Sequence, residues 1–205
     1  MKIHDVIQGD EDWHKIRLGR FTASCMDQII SPTGKQSTQV DKYINKLIAE
    51  RITERSCDPF KGNVHTERGK TLEEEAADYY AMVRNVEPQI IGFCTTDDDL
   101  IGCSPDRFIG DDGILEIKTC LPHIMVEQYL KDSLEQDHRP QTQCCLLVTG
   151  KSWIDTMLYC PDMKPIIMRS TPKDDYISDM LKFTNEAHTK MTARMAEIMT
   201  KGFVS

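Results

Sequence analysis

The sequence lacks any apolar run of the roughly 18 residues that a membrane span requires, and its first residues lack the apolar core of a secretory signal. A cytoplasmic protein with no membrane contact is therefore the expectation. Low-complexity stretches are also missing, and the composition, 40% hydrophobic and 28% charged, is typical of an ordinary globular protein. The 205 residues are expected to form a single domain, residues 1–205.

The usual cysteine pattern of zinc and iron–sulfur sites is absent too. There are eight cysteines, but no two of them form a C-x-x-C pair. We expect these thiols to be reduced and mostly buried. The formal net charge of −8 taken alone argues against a nucleic-acid partner, since phosphates repel an acidic chain. This is weak evidence, because bound divalent cations offset the negative charge of the carboxylates that hold them.

The spacing of apolar residues predicts a mixed α/β protein. Helical spacing occurs over residues 41–55, 71–83, 124–134, 141–148 and 174–199. Short β-type runs occur over residues 89–94, 100–103, 107–109, 114–119, 152–160 and 165–169. This order favours an α/β fold with a mixed central β-sheet flanked by helices.

The most informative pattern combines Asp106, Glu116 and Lys118. Because Glu116 and Lys118 are two residues apart in a predicted strand, both side chains leave the same face, which Asp106 can share from a neighbouring strand. Two carboxylates and an ammonium suit Mg²⁺ or Mn²⁺ better than zinc. Such a site can cleave a phosphodiester, with Lys118 positioning the water or helping to deprotonate it. An E-x-K triplet alone would more often be an exposed ion pair.

A third carboxylate is expected from a preceding helix. The acidic run Glu73, Glu74 and Glu75 lies in the helix predicted from Thr71 to Val83. Spacing alone does not decide which of the three side chains turns toward the site.

Pro105-Asp106, Glu116 and Lys118 occupy the defining positions of the PD-(D/E)xK nuclease superfamily, which this pattern resembles. The similarity extends in the same order through further segments: QGDEDWHKIRLG at 8–19, Thr22-Ala23-Ser24, Gly69-Lys70 before Glu73, CSPD at 103–106, LEIK at 115–118 and Gln141-Thr142-Gln143. Over roughly Gln8 to Gln143 the chain is similar to the phage lambda exonuclease, or YqaJ-like viral recombinase, family.

The resemblance implies a restriction-endonuclease-like core and a Mg²⁺-dependent 5′-to-3′ exonuclease, with Mn²⁺ as a substitute metal. Its substrate would be an end of linear double-stranded DNA, of which one strand is degraded to 5′-mononucleotides. The 3′ single strand that remains would serve annealing-based recombination with a single-strand annealing protein. The resemblance also implies a homotrimeric ring encoded by a phage or prophage in a bacterial host.

By position, the resemblance implies roles for individual residues. Asp106 and Glu116 would be metal ligands together with the backbone carbonyl of Ile117. Lys118 would position the attacking water, and Glu73 would be the upstream catalytic carboxylate.

A second group matches positions that surround the 5′-terminal phosphate in the family: Arg17, Ser24 and Ser104. A guanidinium fork and hydroxyl donors suit an anionic end. Gln141, grouped with these DNA-binding residues, matches the helix glutamine that closes the motif. The family's additional acidic position falls near Thr96, so no residue is assigned to it.

Two alternative functions stay open from the sequence. The same core could belong to a structure-selective endonuclease, which would also cut closed circular DNA. The chain could instead be a catalytically silent scaffold that binds DNA ends during recombination and uses the acidic cluster only for stability.

Overall fold

The computed structural model describes residues 1–57, 64–131 and 133–203, apart from the side chains of residues 64–68 and 70. The described helices are α1 Glu11–Arg17, α2 Val40–Thr53, α3 Val64–Arg84, α4 Pro122–Lys131, α5 Leu134–Thr149, α6 Asp174–Thr200 and a 3₁₀ helix at Ala23–Gln28. The described strands are β1 Lys2–His4, β2 Phe21–Thr22, β3 Pro88–Ile90, β4 Phe93–Thr95, β5 Ile101–Cys103, β6 Arg107–Ile109, β7 Gly113–Thr119, β8 Trp153–Tyr159 and β9 Ile166–Ser170.

These strands form two sheets. The larger has the order β3-β6-β7-β8-β9, in which β7 and β8 are parallel and the other pairs antiparallel. The smaller has the order β1-β4-β5-β2. Helix α3 packs on one face of the larger sheet and α5 on the other. The predicted α/β fold with mixed sheets flanked by helices is confirmed, although the strands divide between two sheets.

Strand β7 lies in the middle of the larger sheet and carries the predicted catalytic residues. Leu115 and Ile117 pack into the cluster that α3 covers, while Ile114 packs into the core that includes α5. Alternation along the strand therefore places Glu116 and Lys118 on the α5 face.

The single strand predicted at Gln89–Cys94 is wrong. The chain leaves the larger sheet after Ile90 and enters the smaller one at Phe93. At Gly92, between them, an added Cβ would lie 2.2 Å from the carbonyl oxygen of Val6. Only glycine permits this close backbone approach, which marks where the chain changes sheet.

Three predicted helix boundaries are also wrong. Helix α5 begins at Leu134 and contains Pro140, whereas the apolar spacing predicts a helix that begins at Gln141. Leu134 and Pro140 are both buried, so packing outweighs the hydrogen bond that proline removes. Helix α3 begins at Val64, so Gly69 lies inside it, and α4 ends at Lys131.

The fold bears on the predictions about membrane-spanning segments and about the cysteines. Within residues 1–57, 64–131 and 133–203, no helix is long and apolar enough to cross a membrane. The eight cysteines are free, and five of them are buried, as predicted: Cys94, Cys103, Cys144, Cys145 and Cys160.

Candidate active site

Asp106, Glu116 and Lys118 converge at the middle of the larger sheet. Lys118 Nζ lies 2.7 Å from Glu116 Oε1. Asp106 lies at the end of the loop between β5 and β6, and its Oδ2 accepts a 2.6 Å hydrogen bond from the backbone N–H of Ile117. The hairpin of β6 and β7 thus brings both carboxylates to the same region, as the pleat predicted.

The cluster carries excess negative charge in a poorly solvated place. Burial raises the pKa of Asp106 well above its usual value, and the charges of Glu116 and Glu73 raise it further. Burial opposes ionisation of Lys118, but its ion pair and hydrogen bond with Glu116 leave the pKa raised. The charge of Glu73 is offset by Arg107, whereas Asp106 and Glu116 share the single ammonium of Lys118. Two carboxylates with one ammonium create a local demand for a further cation.

The buried carboxylate of Glu116 lacks a donor for one of its oxygens. Its side chain is only 3% exposed. Oε1 accepts hydrogen bonds from Lys118 and from the amide of Gln141, whereas Oε2 is buried and has no hydrogen-bond partner within the described part of the chain. A buried carboxylate oxygen without a donor is costly, and a bound cation would remove that cost.

The donor set fits a hard divalent cation. Asp106 and Glu116 offer carboxylate oxygens, the ligands that Mg²⁺ and Mn²⁺ prefer. Among the described residues, no group of three His, Cys, Asp or Glu side chains is arranged to hold a metal. A cation here would therefore need backbone or water oxygens as well, and the carbonyl of Ile117 is the predicted contributor.

The acidic run on α3 presents its three members differently. Glu73 is one third exposed, and its charge acts on Asp106. Glu74 is mostly exposed, and Glu75 accepts a hydrogen bond from the hydroxyl of Tyr159. Arg107 Nη1 donates both to Glu73 Oε1 and to the backbone carbonyl of Asp106, so Glu73 is the member linked to the site.

Helix α5 contributes from the opposite face. The side-chain amide of Gln141 donates to Glu116 Oε1, so Gln141 joins the carboxylate cluster. His138 lies three residues earlier on the same helix, and its pKa is lowered by burial and by the charge of Lys118. Sequence reasoning missed His138, although the spacing of three residues from Gln141 could have indicated it.

Arg17, Ser24 and Ser104 are brought together beside this cluster. Arg17 Nη2 donates to Ser24 Oγ at 2.9 Å and Nη1 donates to Ser104 Oγ at 3.2 Å. The guanidinium carbon lies 4.2 Å from the ring centroid of Trp13, whose Nε1 donates to Ser104 Oγ at 2.8 Å. Burial lowers the pKa of Arg17, which stays charged.

A cavity of about 780 Å³ extends from Arg17 to the acidic residues of α3. Its lining includes Trp13, Arg17, Glu73 and Arg107. Both cationic and anionic side chains therefore line this cavity.

The aspartates near Thr96 lie elsewhere. Asp97 Oδ1 accepts from the terminal amino group at 2.7 Å, and Asp99 pairs with Lys2 and Arg20. These contacts hold the turn between β4 and β5 and supply no residue to the carboxylate cluster.

Solved structures share this fold. The alkaline exonuclease of Laribacter hongkongensis superposes with a TM-score of 0.83 at 23% identity, covering 94% of this chain and 98% of that chain. Its complex with dAMP gives the same values. A phage-related exonuclease from Haemophilus somnus 129PT gives a TM-score of 0.68 at 13% identity, covering 87% and 96%. The chain thus has the fold of these exonucleases.

The family follows from the sequence comparison. The model of the YqaJ-like viral recombinase domain matches residues 12–152, which is more than half of the chain. The chain therefore belongs to the YqaJ-like viral recombinase domain family, and the predicted resemblance to that family is confirmed. A search of curated proteins finds no significant match.

Proposed function

We propose that the protein is a Mg²⁺-dependent deoxyribonuclease that degrades one strand of linear double-stranded DNA from its 5′ end. The observation that carries this proposal is the convergence of Asp106, Glu116 and Lys118, together with a buried Glu116 Oε2 that has no hydrogen-bond partner among the described residues. Family membership and the exonuclease fold support the same activity.

In this reaction the residues of the cluster have separate tasks. Asp106 and Glu116, with the carbonyl of Ile117, would hold the metal, which when bound neutralises phosphate charge and acidifies water. The Lys118 ammonium, fixed by Glu116, orients the attacking water. Gln141 holds the same carboxylate from α5 and restrains its orientation. Glu73 adds the upstream carboxylate.

The second group accounts for the polarity of degradation. Arg17, Ser24 and Ser104 would bind the 5′-terminal phosphate, since a guanidinium and two hydroxyls can all donate to it. The cavity that Arg17 lines also reaches Glu73, which supports delivery of the adjacent phosphodiester toward the carboxylate cluster. The dAMP complex of the Laribacter hongkongensis enzyme supports a mononucleotide product.

The proposed product is a 3′ single strand for annealing-based recombination with a single-strand annealing protein, in the cytoplasm of a bacterial host. A homotrimeric ring would let a chain of net charge −8 hold DNA, because a few cations can line the channel while the exterior stays acidic.

One assay tests activity, polarity and end recognition together. End-labelled linear duplexes with and without a 5′-phosphate, and covalently closed circular DNA, are incubated with Mg²⁺. We expect mononucleotides from the linear duplexes, faster from the phosphorylated end, and no cutting of the circle. Cutting of the circle at a similar rate would favour the endonuclease. No release with either Mg²⁺ or Mn²⁺ would favour the silent end-binding scaffold.

A further inference from the structure

Arg107, which follows Asp106 directly, is a buried cation beside the carboxylate cluster. Its side chain is 6% exposed. Nη1 donates to Glu73 Oε1 at 3.1 Å and to the backbone carbonyl of Asp106 at 2.7 Å, while Nη2 donates to Glu74 Oε1 at 2.7 Å. One guanidinium thus connects strand β6 to two adjacent acidic residues of α3.

The strand fixes where this guanidinium lies. In β6 the side chains alternate, so Arg107 and Ile109 face α3 while Phe108 packs into the core on the other side. Arg107 pairs with Leu115 of β7 in the register of the sheet. Its position is therefore set by the same hairpin that places Asp106 and Glu116.

The ion pair with Arg107 has different consequences for Glu73 and Glu74. Glu74 is 66% exposed and would be well solvated without Arg107. Glu73 is 34% exposed, and the Arg107 Nη1 that donates to its Oε1 also donates to the backbone carbonyl of Asp106, so Glu73 is held beside another acidic residue. A like charge in that position is unfavourable unless a cation offsets it.

We propose that Arg107 is a positioning residue that holds Glu73 toward Asp106, with Glu74 as the second anchor of its guanidinium. This inference rests on the proposed function of the same site. The planar fork of arginine can bind both glutamates at once, which the single ammonium of lysine does less well. Without the fork, repulsion from Asp106 would move Glu73 toward solvent.

The decisive variant is Arg107→Lys, which keeps the charge and removes the fork. We expect the Mg²⁺ concentration for half-maximal digestion to rise by about 10- to 100-fold, the usual effect of losing an outer partner of a metal site. The preference for a 5′-phosphate should persist, because Arg17 and its serines are untouched. Glu127→Gln, an exposed change on α4, is the matched control.

Glu73→Gln and Glu74→Gln separate positioning from simple attachment of α3 to the sheet. We expect Glu73→Gln to raise the Mg²⁺ requirement about as much as Arg107→Lys does. The double variant Arg107→Lys/Glu73→Gln should be little worse than either single variant, and Glu74→Gln should have a clearly smaller effect. Equal effects of the two glutamine variants, or an unchanged Mg²⁺ requirement in Arg107→Lys, would overturn the proposal.

Metal binding can be measured without catalysis, which separates the test of Arg107 from the test of nuclease activity. Ca²⁺ should raise the melting temperature of the wild-type protein, and Arg107→Lys should reduce that rise at matched Ca²⁺ concentration. If wild-type protein released no nucleotides, the proposed function would fail while the Ca²⁺ shift still reported on Arg107. A full wild-type shift in a folded Arg107→Lys protein would refute the positioning role.

Discussion

At the scale of single residues, Glu116 holds two properties that conflict in the absence of a cation. Its carboxylate is almost completely buried, yet only Oε1 is bonded to donors in the described part of the chain. Lys118 compensates one charge, while Asp106 adds another close by. The cluster is therefore better suited to binding a cation than to stabilising the fold.

Glu116→Gln and Lys118→Ala should each abolish Mg²⁺-dependent digestion of linear duplex DNA. The first change removes the charge that would hold the metal, and the second removes the group that orients the water. We expect losses of at least about a hundredfold. Rates are compared by nucleotide release with circular dichroism as a folding check, and digestion at the wild-type rate by either folded variant would refute the site.

Arg17→Ala should remove the preference for a phosphorylated 5′ end. Arg17 contacts both serines of the group, so its loss deletes the only charged donor among these three residues. The test is the ratio of digestion rates on duplexes with and without a 5′-phosphate. Arg194→Ala, whose guanidinium contacts Asp41 and Asn45, serves as control. A ratio that stayed above one in Arg17→Ala would count against the phosphate pocket.

At the scale of elements, α3 is attached to the sheet by side chains between Glu73 and Tyr80. Toward its end, the hydroxyl of Tyr80 donates to Asp155 of β8 at 2.7 Å. Asp155 is completely buried and also accepts two hydrogen bonds from Arg169. Together with the contacts of Arg107 and Glu75, this fixes the rotation of α3 and hence which glutamate faces Asp106.

Glu135, near the start of α5, pairs with Arg139 and Lys173, and this cluster makes the free energy of unfolding depend on pH. Hydrogen bonds from Arg139 and Lys173 outweigh partial burial and lower the pKa of Glu135 to about 2. Because the folded pKa lies below the unfolded value, this contribution to stability is present above pH of about 4.5 and is lost as pH falls toward 2.

Glu135→Gln should therefore lower the free energy of unfolding at pH 7 by about 1 kcal/mol, a value reduced for solvent screening. The difference from wild type should shrink as pH falls from about 4.5 to 2. Urea denaturation across this range is the measurement, with the exposed Glu87→Gln as control. A difference that stayed constant down to pH 2 would contradict the ionic explanation.

At the scale of the whole molecule, processive degradation would require the DNA to stay enclosed. We predict that light scattering will give a mass about three times the monomer value of 23.5 kDa, as expected for a closed ring. When long duplex DNA is present in molar excess over the enzyme, each DNA molecule that is attacked should then be digested completely while other molecules stay intact. A monomeric mass at working concentration would remove the ring as the explanation of processivity.

The sequence by itself determined the Asp106, Glu116 and Lys118 cluster, because strand alternation and a short hairpin are local properties of the backbone. The family followed from the order of several short motifs. Local pattern did not predict α1 or the short strands β1 and β2 because these elements contain few residues.

Three features could not be predicted from local pattern: which glutamate of α3 faces the site, the burial of Arg107 beside it, and the change of sheet at Gly92. These features depend on contacts between segments far apart in the sequence, such as α3 with β6 or Val6 with Gly92. The rotation of a helix on a sheet is set by such contacts, and periodicity alone leaves it undetermined.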